Sequence, residues 1–500
     1  MHMPAGKAKK HKLRHNAAIT SVLVPLAFLL LVLVYYWNLG QANWTVGVKF
    51  AAAVAILWIA GIAIVRVNAL KESYGGLFVF GGRKGIGIIE DLAGGRARFW
   101  EFFAQVGLVM SFGALSYFVF RKQIGRKALA LGLVLTAVMF FVVWPFIALA
   151  LNFIAIPGHT ISVQSVQFQL PALDWITALE LVSIFAGGFA LFIIVLLAYP
   201  AATIVYGILS FTSSAVVTHT VNTAILGNQL PGIEPVVPGV SVPLVAGLLA
   251  FAVVLIVHEF AHGVLFTTYR RKVKRTGLLM LGVVPVGGFA DAGEKAFKSL
   301  SKERQNKVLV AGVMANYAFA FVFFIITYLM MAYVVPGLYA NSVVVSGTAI
   351  GSPAYNVIMP GSAITSWNGH PITDLGSLEA AAGSDAPGEF ISVGTSNGNY
   401  SVMANSTGKI GVYVQQEQVP AVGGLYFSVA GFLYQFAVLA FALNLLVAVM
   451  NLLPLPIGLD GWRIYRNTIR SKAAMRAIEI FVAAAFVILI LPWIWYFLGI

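Results

Sequence analysis

An apolar run, Val253-Val254-Leu255-Ile256-Val257, leads directly into His258-Glu259-Phe260-Ala261-His262. Histidines at i and i+4 of a helix lie about 40° apart around its axis, because successive residues turn by about 100°, so both imidazoles can reach one metal ion from one face. The glutamate between them, next to the first histidine, can then act on water at that ion. At this chain's own frequencies of His and Glu the pattern has a chance expectation of about 0.003 occurrences, which makes accident a poor explanation. Cost points the same way. Each ionisable side chain at a membrane helix centre disfavours insertion by about 2.5–3.5 kcal/mol, and three of them cluster here. A divalent cation facing a wet cavity would offset that cost by taking neutral imidazoles as ligands, with the carboxylate as counter-charge. The alternative is that His258 and His262 only hydrogen-bond between packed helices.

Two histidines leave a zinc site short, since catalytic sites use about three protein ligands plus water. With no cysteine in the chain, the third ligand must be His or carboxylate. The candidates are few. Glu180 falls within an apolar stretch, Glu101 and Glu479 near the ends of others, and Asp460 follows Asn451-Leu452-Leu453-Pro454-Leu455-Pro456-Ile457-Gly458-Leu459. Pro454 and Pro456 break the helix, which puts Asp460 on irregular backbone, tolerated at membrane depth only where protein or water satisfies it. Taken alone, Asp460 reads equally as part of an Asp-Gly turn.

These residues must be positioned by membrane-spanning elements. Of the 500 residues 59% are hydrophobic and 10% charged, which makes a soluble enzyme a poor reading. Nine stretches are long and apolar enough to cross a bilayer, near 17–39, 48–66, 101–120, 128–151, 177–206, 242–268, 308–334, 426–451 and 476–498. The fold class is therefore an α-helical polytopic membrane protein of about nine transmembrane helices. The basic stretch Lys7–His15 before the first apolar run resembles a signal peptide start, but the run is too long for one and reads as a retained anchor. The net charge of +14 is explained by membrane topology rather than nucleic acid. A cytoplasmic N-terminus puts the basic segments 66–98, 269–307 and 463–476 inside, with 121–127 as the dissenting stretch. The segment between Pro336 and Leu425 then falls outside, with Lys409 as its single basic residue. Three glycosylation-type triplets at Asn43, Asn399 and Asn405 fall on the same side. Rich in Gly, Ser and Asn with short alternating apolar runs, that segment reads as a small β-rich insertion.

An H-E-x-x-H in a membrane helix, followed about 200 residues later by Asn-x-x-Pro and then Leu-Asp-Gly, resembles the site-2 protease family of intramembrane zinc metalloproteases. The resemblance covers residues 242–475. It includes Gly287-Gly288-Phe289, similar to the family's membrane-dipping hairpin, and Ala311-Gly312 with Asn316, similar to its Ala-Gly-Pro-x-x-Asn segment. It implies one Zn2+ per chain held by His258, His262 and Asp460, with Glu259 as catalytic acid and base. Asn316 and Asn451 match polar family positions near the site. The pattern departs from the family at three places. Asp460 follows Asn451 by nine residues where eight is usual, Trp462 replaces a second Gly, and Val313 replaces the Pro. Gly351-Ser352-Pro353-Ala354, Met359–Ile364 and Asn368–Ile372 resemble a PDZ domain, which implies a sheet edge able to accept an extended peptide.

The expected organisation is an N-terminal membrane region of unassigned role (1–240), a first half of the protease core (241–335), a PDZ-like extracytoplasmic domain (336–425), a second half with the Leu-Asp-Gly segment (426–475) and a last helix (476–500). The expected function is hydrolysis of peptide bonds in or near transmembrane segments, with membrane proteins as substrates, a possible peptide ligand for the PDZ-like domain, the lipid bilayer as surroundings, and no nucleic acid. Residues around 282–290 are expected to hold an unwound substrate by strand pairing. The rival readings are an ion or metal transporter using the His/Glu/Asp cluster, with Glu180, and a non-catalytic membrane scaffold. The basic, glycine-punctuated loop Gly75–Gly95 carries no phosphate-loop ending, and Arg83-Lys84-Gly85 reads as a turn.

Overall fold

The structure, a computed structural model, describes residues 46–68, 73–146, 175–210, 242–282, 284–421 and 424–498. The chain divides into two compact units, Met1–Ile325 with Gln435–Ile500, and Ile326–Tyr434.

Among the described residues six helices are long and apolar enough to cross a membrane: Arg126–Phe146, Ala178–Ala202, Leu244–Thr268, Lys302–Leu338, Leu425–Met450 and Lys472–Ile490. They match six of the nine expected stretches. The stretch 17–39 lies outside the described residues. The stretch 48–66 falls in α1 (Val46–Asn68), whose apolar part is shorter than the six. The stretch 101–120 is not one helix but two, α3 (Ala97–Phe112) and α4 (Leu115–Val119), separated at Gly113.

That break has a partner. Gly113 holds φ 57, ψ −151, and Gly188, inside α6 (Trp175–Ser210), holds φ 63, ψ −164, a region open essentially to glycine alone. A Cβ on either glycine would lie 2.5 Å from the backbone nitrogen of the other, and the amide of Ala114 donates to the carbonyl of Phe185 at 2.9 Å. Two helices thus interrupt their ladders at one crossing, and one main chain satisfies a carbonyl that the other leaves open. Between them in sequence runs α5 (Arg126–Val138).

The segment Gly75–Gly95 is ordered structure rather than a punctuated loop. Strands β1 (Ser73–Tyr74) and β2 (Leu77–Gly82) are followed by α2 (Lys84–Ala93), so Arg83-Lys84-Gly85 opens a helix instead of forming a turn. Strand β2 pairs antiparallel with β3 (Arg275–Leu281), and β3 with β4 (Val284–Asp291), giving a sheet of order β1-β2-β3-β4. Gly81 sits opposite Gly277, and any Cβ on either would meet the Phe289 ring within 2.8 Å, so the paired glycines leave the slot that ring fills. The guanidinium of Arg275 covers the ring from 5.4 Å. Ile89 of α2 is fully buried, and its side chain meets the bare face of Gly263 in α7 (Leu244–Thr268).

After β4 come the short α8 (Glu294–Lys298) and α9 (Lys302–Leu329). The chain passes into the second unit within α9, at Ile326, continues through α10 (Val335–Leu338) and returns within α12 (Gly424–Met450), followed by α13 (Asp460–Thr468) and α14 (Lys472–Leu498). In the first unit an ion pair, Lys307 to Glu101 at 2.5 Å, ties α9 to α3. Burial pushes the Tyr269 phenol pKa up, and the negative charge of Glu101 adds to it.

The second unit is a six-stranded sheet with the path β10 (Val412–Pro420), β5 (Tyr339–Thr348), β6 (Ala363–Trp367), β8 (Phe390–Thr395), β9 (Gly398–Met403), and β7 (His370–Pro371) beside β6. Helix α11 (Leu375–Ala382) contributes Leu378 and Ala381 to a core with Val343, Ile364, Trp367 and Ile391. Asp374 caps it in a reciprocal capping box with Ser377. The β-rich character expected of this segment is present.

Candidate metal centre

His258 and His262 stand one turn apart on α7, both buried, with ring centroids 4.7 Å apart. Asp460, first residue of α13, reaches both from 202 and 198 residues away in sequence: its Oδ2 lies 3.0 Å from His258 Nε2 and 3.3 Å from His262 Nε2. The three donors lie within 4.8 Å of one another and form the only such His or carboxylate trio among the described residues.

The local chain explains how Asp460 arrives. Helix α12 ends at Met450, and Pro454, Pro456 and Gly458 (φ 97) prevent its continuation. The Gly461 amide returns to the Asn451 carbonyl at 2.7 Å, and a Cβ on Gly461 would lie 2.4 Å from the backbone of Leu452. The loop is therefore closed on itself, and Asp460 follows from that closure. Helix α13 is held from outside by two groups. Trp462 Nε1 donates to Glu479 Oε1 at 2.6 Å, and Asn467 Nδ2 donates to Asn306 Oδ1 at 2.9 Å. Trp462, one departure from the resembled pattern, thus anchors the helix that carries the carboxylate.

Helix α9 shapes the other wall. The Val308 carbonyl lies 2.7 Å from His262 Nδ1, and Asn316 Nδ2 lies 3.2 Å from His258 Nδ1. Asn316 is fully buried, and its Oδ1 has no partner among the described residues. Gly312 faces the trio: a Cβ there would be 2.7 Å from the Nε2 atoms of both histidines, so glycine keeps open the space beside these two nitrogens. Two imidazole nitrogens, a carboxylate oxygen and that open space fit a divalent transition ion.

Glu259 turns toward the sheet. Its Oε2 accepts the Ala290 amide of β4 at 3.1 Å, and the bare α-carbon of Gly288 admits its Cγ, which any Cβ there would meet at 2.6 Å. A cavity of about 2010 Å3 runs past Glu259, the trio and β4, and takes in Asn451 and the basic residues Arg275, Lys298, Lys302, Arg463 and Arg466. Asn451 engages the loop that leads to Asp460 through its backbone carbonyl. Of the rejected sequence candidates, Glu101 pairs with Lys307 and Glu479 with Trp462, while Glu180, half-buried in α6, does not line this cavity. Sequence reasoning overlooked Gly312 as the residue that clears the site and β2 as a strand beside it. The run Leu77-Phe78-Val79-Phe80 between two glycine pairs was the available signal for β2.

A sequence model of peptidase family M50 matches residues 246–492, which contain the whole trio, Glu259, Gly312 and the loop before Asp460. An uncharacterized protein of Methanocaldococcus jannaschii is similar at 27% identity over 228 residues, 45% of this chain and 57% of that protein. The match therefore spans little more than half the length of that relative.

Proposed function

Residues 246–492 place this chain in peptidase family M50, the site-2 protease family, and from that premise we propose that it is an intramembrane zinc metalloprotease hydrolysing peptide bonds in or near the transmembrane segments of membrane proteins. The observation that carries this reading is the convergence of His258, His262 and Asp460 beside Glu259 on one cavity. In this reading those three residues hold one Zn2+, which when bound polarises a carbonyl and lowers the pKa of water to about 7.

The remaining work falls to the chain. Glu259 takes the proton of the attacking water at a carboxylate oxygen and returns it to the leaving amine. The amide of Ala290 fixes that carboxylate against β4. Because β4 ends its sheet among the described residues, its outer edge beyond the Ala290 amide suits pairing with a substrate segment that has lost its helical hydrogen bonds. His262 donates from Nδ1 to the Val308 carbonyl, which leaves the Nε2 lone pair for the ion. His258 needs the same tautomer. Asn316 supplies it by turning its amide so that Oδ1, without a partner as it stands, accepts from His258 Nδ1. The basic residues along the cavity support a polar water path from the side on which the basic loops lie, cytoplasmic under the positive-inside rule. By the same rule the PDZ-like segment 336–425 is extracytoplasmic, and the terminal strands β9 and β10 of its sheet path offer edges for an extended peptide.

A transporter built on the same cluster would draw on Glu180, which is outside the cavity lining, and a scaffold needs no metal centre at all. Glu259→Gln separates the three readings. The expected result is a purified protein that retains zinc at the wild-type stoichiometry and loses cleavage of membrane-segment substrates by about 1000-fold, the middle of the range for removing general acid–base catalysis. Undiminished cleavage by the zinc-loaded variant overturns the proposal.

A further inference from the structure

A second concavity, of about 570 Å3, lies beyond the metal centre and is lined by Arg270, Arg271, Lys272, Lys274 and Lys295, with Glu294 among them. Its position is set by the chain. Arg270 comes two residues after the last residue of the spanning helix α7, and Lys295 comes seven residues before the spanning helix that starts at Lys302. Both lining segments therefore sit just outside the ends of membrane helices, at the depth of lipid headgroups.

The charges in this concavity are uncompensated. Glu294, the acidic residue of the lining, is committed to Lys298 at 2.6 Å, and Lys298 is not part of the lining. None of the five cations is in an ion pair among the described residues. Lys274 reaches across to Gly293, whose absent Cβ would lie 3.4 Å from its Nζ, so the two lining segments bring their charges to one place. In addition, the Arg271 Nε is buried with no acceptor among the described residues, a donor that folding normally satisfies. Like charges gathered in a concave surface repel unless an anion accompanies them, and guanidinium and ammonium groups pair best with oxyanions.

We propose that this concavity binds the phosphate of an anionic phospholipid headgroup. A phosphate offers the oxygen acceptors that guanidinium and ammonium groups seek. The lipid is favoured over the free ion because the concavity opens at the ends of two spanning helices, where headgroup phosphates are concentrated. The site shares Ala292, Gly293 and Glu294 with the lining of the larger cavity, so an occupant would stand against the stretch that links β4 to α8. The inference does not depend on the proteolytic reading, and its test reads lipid rather than cleavage.

The experiment is native mass spectrometry of the detergent-purified full chain with equimolar phosphatidylglycerol and phosphatidylcholine of matched chain length. The wild type should retain phosphatidylglycerol over phosphatidylcholine by about tenfold or more, given the attraction of each basic residue near an anionic surface. Lys272→Gln/Lys274→Gln/Lys295→Gln, all at exposed positions, should reduce that preference to within about twofold, and Lys272→Glu alone should move it in the same direction. A control, Lys122→Gln/Arg126→Gln/Lys127→Gln, removes cations at the start of another spanning helix and should keep the preference. Equal retention of both lipids by the wild type, a preference that survives the first triple variant, or its loss in the control would overturn the proposal. Uptake of inorganic phosphate by a protein with no lipid preference would overturn it in favour of the free ion.

Discussion

Glu259 was legible as chemistry because it lies between two histidines at one-turn spacing, and that spacing is a property of the helix alone. Asn316 was legible only as a polar residue matching a family position, and its work depends on which atom it turns toward His258. The proposed role makes the acceptor matter more than the donor or the volume. Asn316→Leu should weaken zinc binding by about 10–100-fold, the usual cost of removing an outer hydrogen bond from a metal ligand. Asn316→Asp, which can only accept when ionised, should retain affinity close to wild type. Competition with a chromophoric chelator measures both, and the visible spectrum of the cobalt-substituted protein reports whether His258 remains a ligand. Equal losses in the two variants would reduce Asn316 to a packing residue.

At the scale of elements, the break after α12 does more than interrupt a helix. Proline at 454 and 456 signals the interruption in the sequence, but the direction in which Asp460 then points is decided by Gly461 lying flat against Leu452. Gly461→Ala would force the first turn of α13 away from that backbone, since a carbon at 2.4 Å cannot be accommodated. Displacement of this kind costs about 1–3 kcal/mol, so zinc affinity should fall by about fivefold or more although none of the proposed ligands is altered, as read by the same chelator competition. Unchanged affinity would show that the loop has slack to spare. The glycine crossing of α3 and α6 is the other element the sequence concealed. The run 101–120 is apolar enough to read as a single span, and nothing in its hydropathy announces that Gly113 adopts a conformation reserved for glycine because Gly188 does the same opposite it.

For the whole molecule, an ion held by the trio as proposed would join α7 to α13 across about 200 residues of sequence, and ligands that bind only the folded state stabilise it. Zinc at 100 times its dissociation constant should stabilise the fold by about 2.7 kcal/mol. A chelator should therefore lower the thermal unfolding midpoint of wild type and of Glu259→Gln alike, while Asp460→Ala should unfold at the same temperature with and without it. A midpoint insensitive to chelation in all three would deny the trio a metal. Apolar content and the length of apolar runs determined by themselves that this chain carries several membrane-spanning helices, and residue type at i, i+1 and i+4 marked His258, Glu259 and His262 as metal-site candidates, because both properties are local. Only the tertiary structure decided that the carboxylate meeting them is Asp460 rather than Glu101, Glu180 or Glu479, that β2 from a stretch without any recognisable motif completes the sheet beside Glu259, and that Gly312 clears the space between the imidazoles. Each of these depends on which surfaces approach within a few ångströms after folding, and a linear pattern carries no record of that distance.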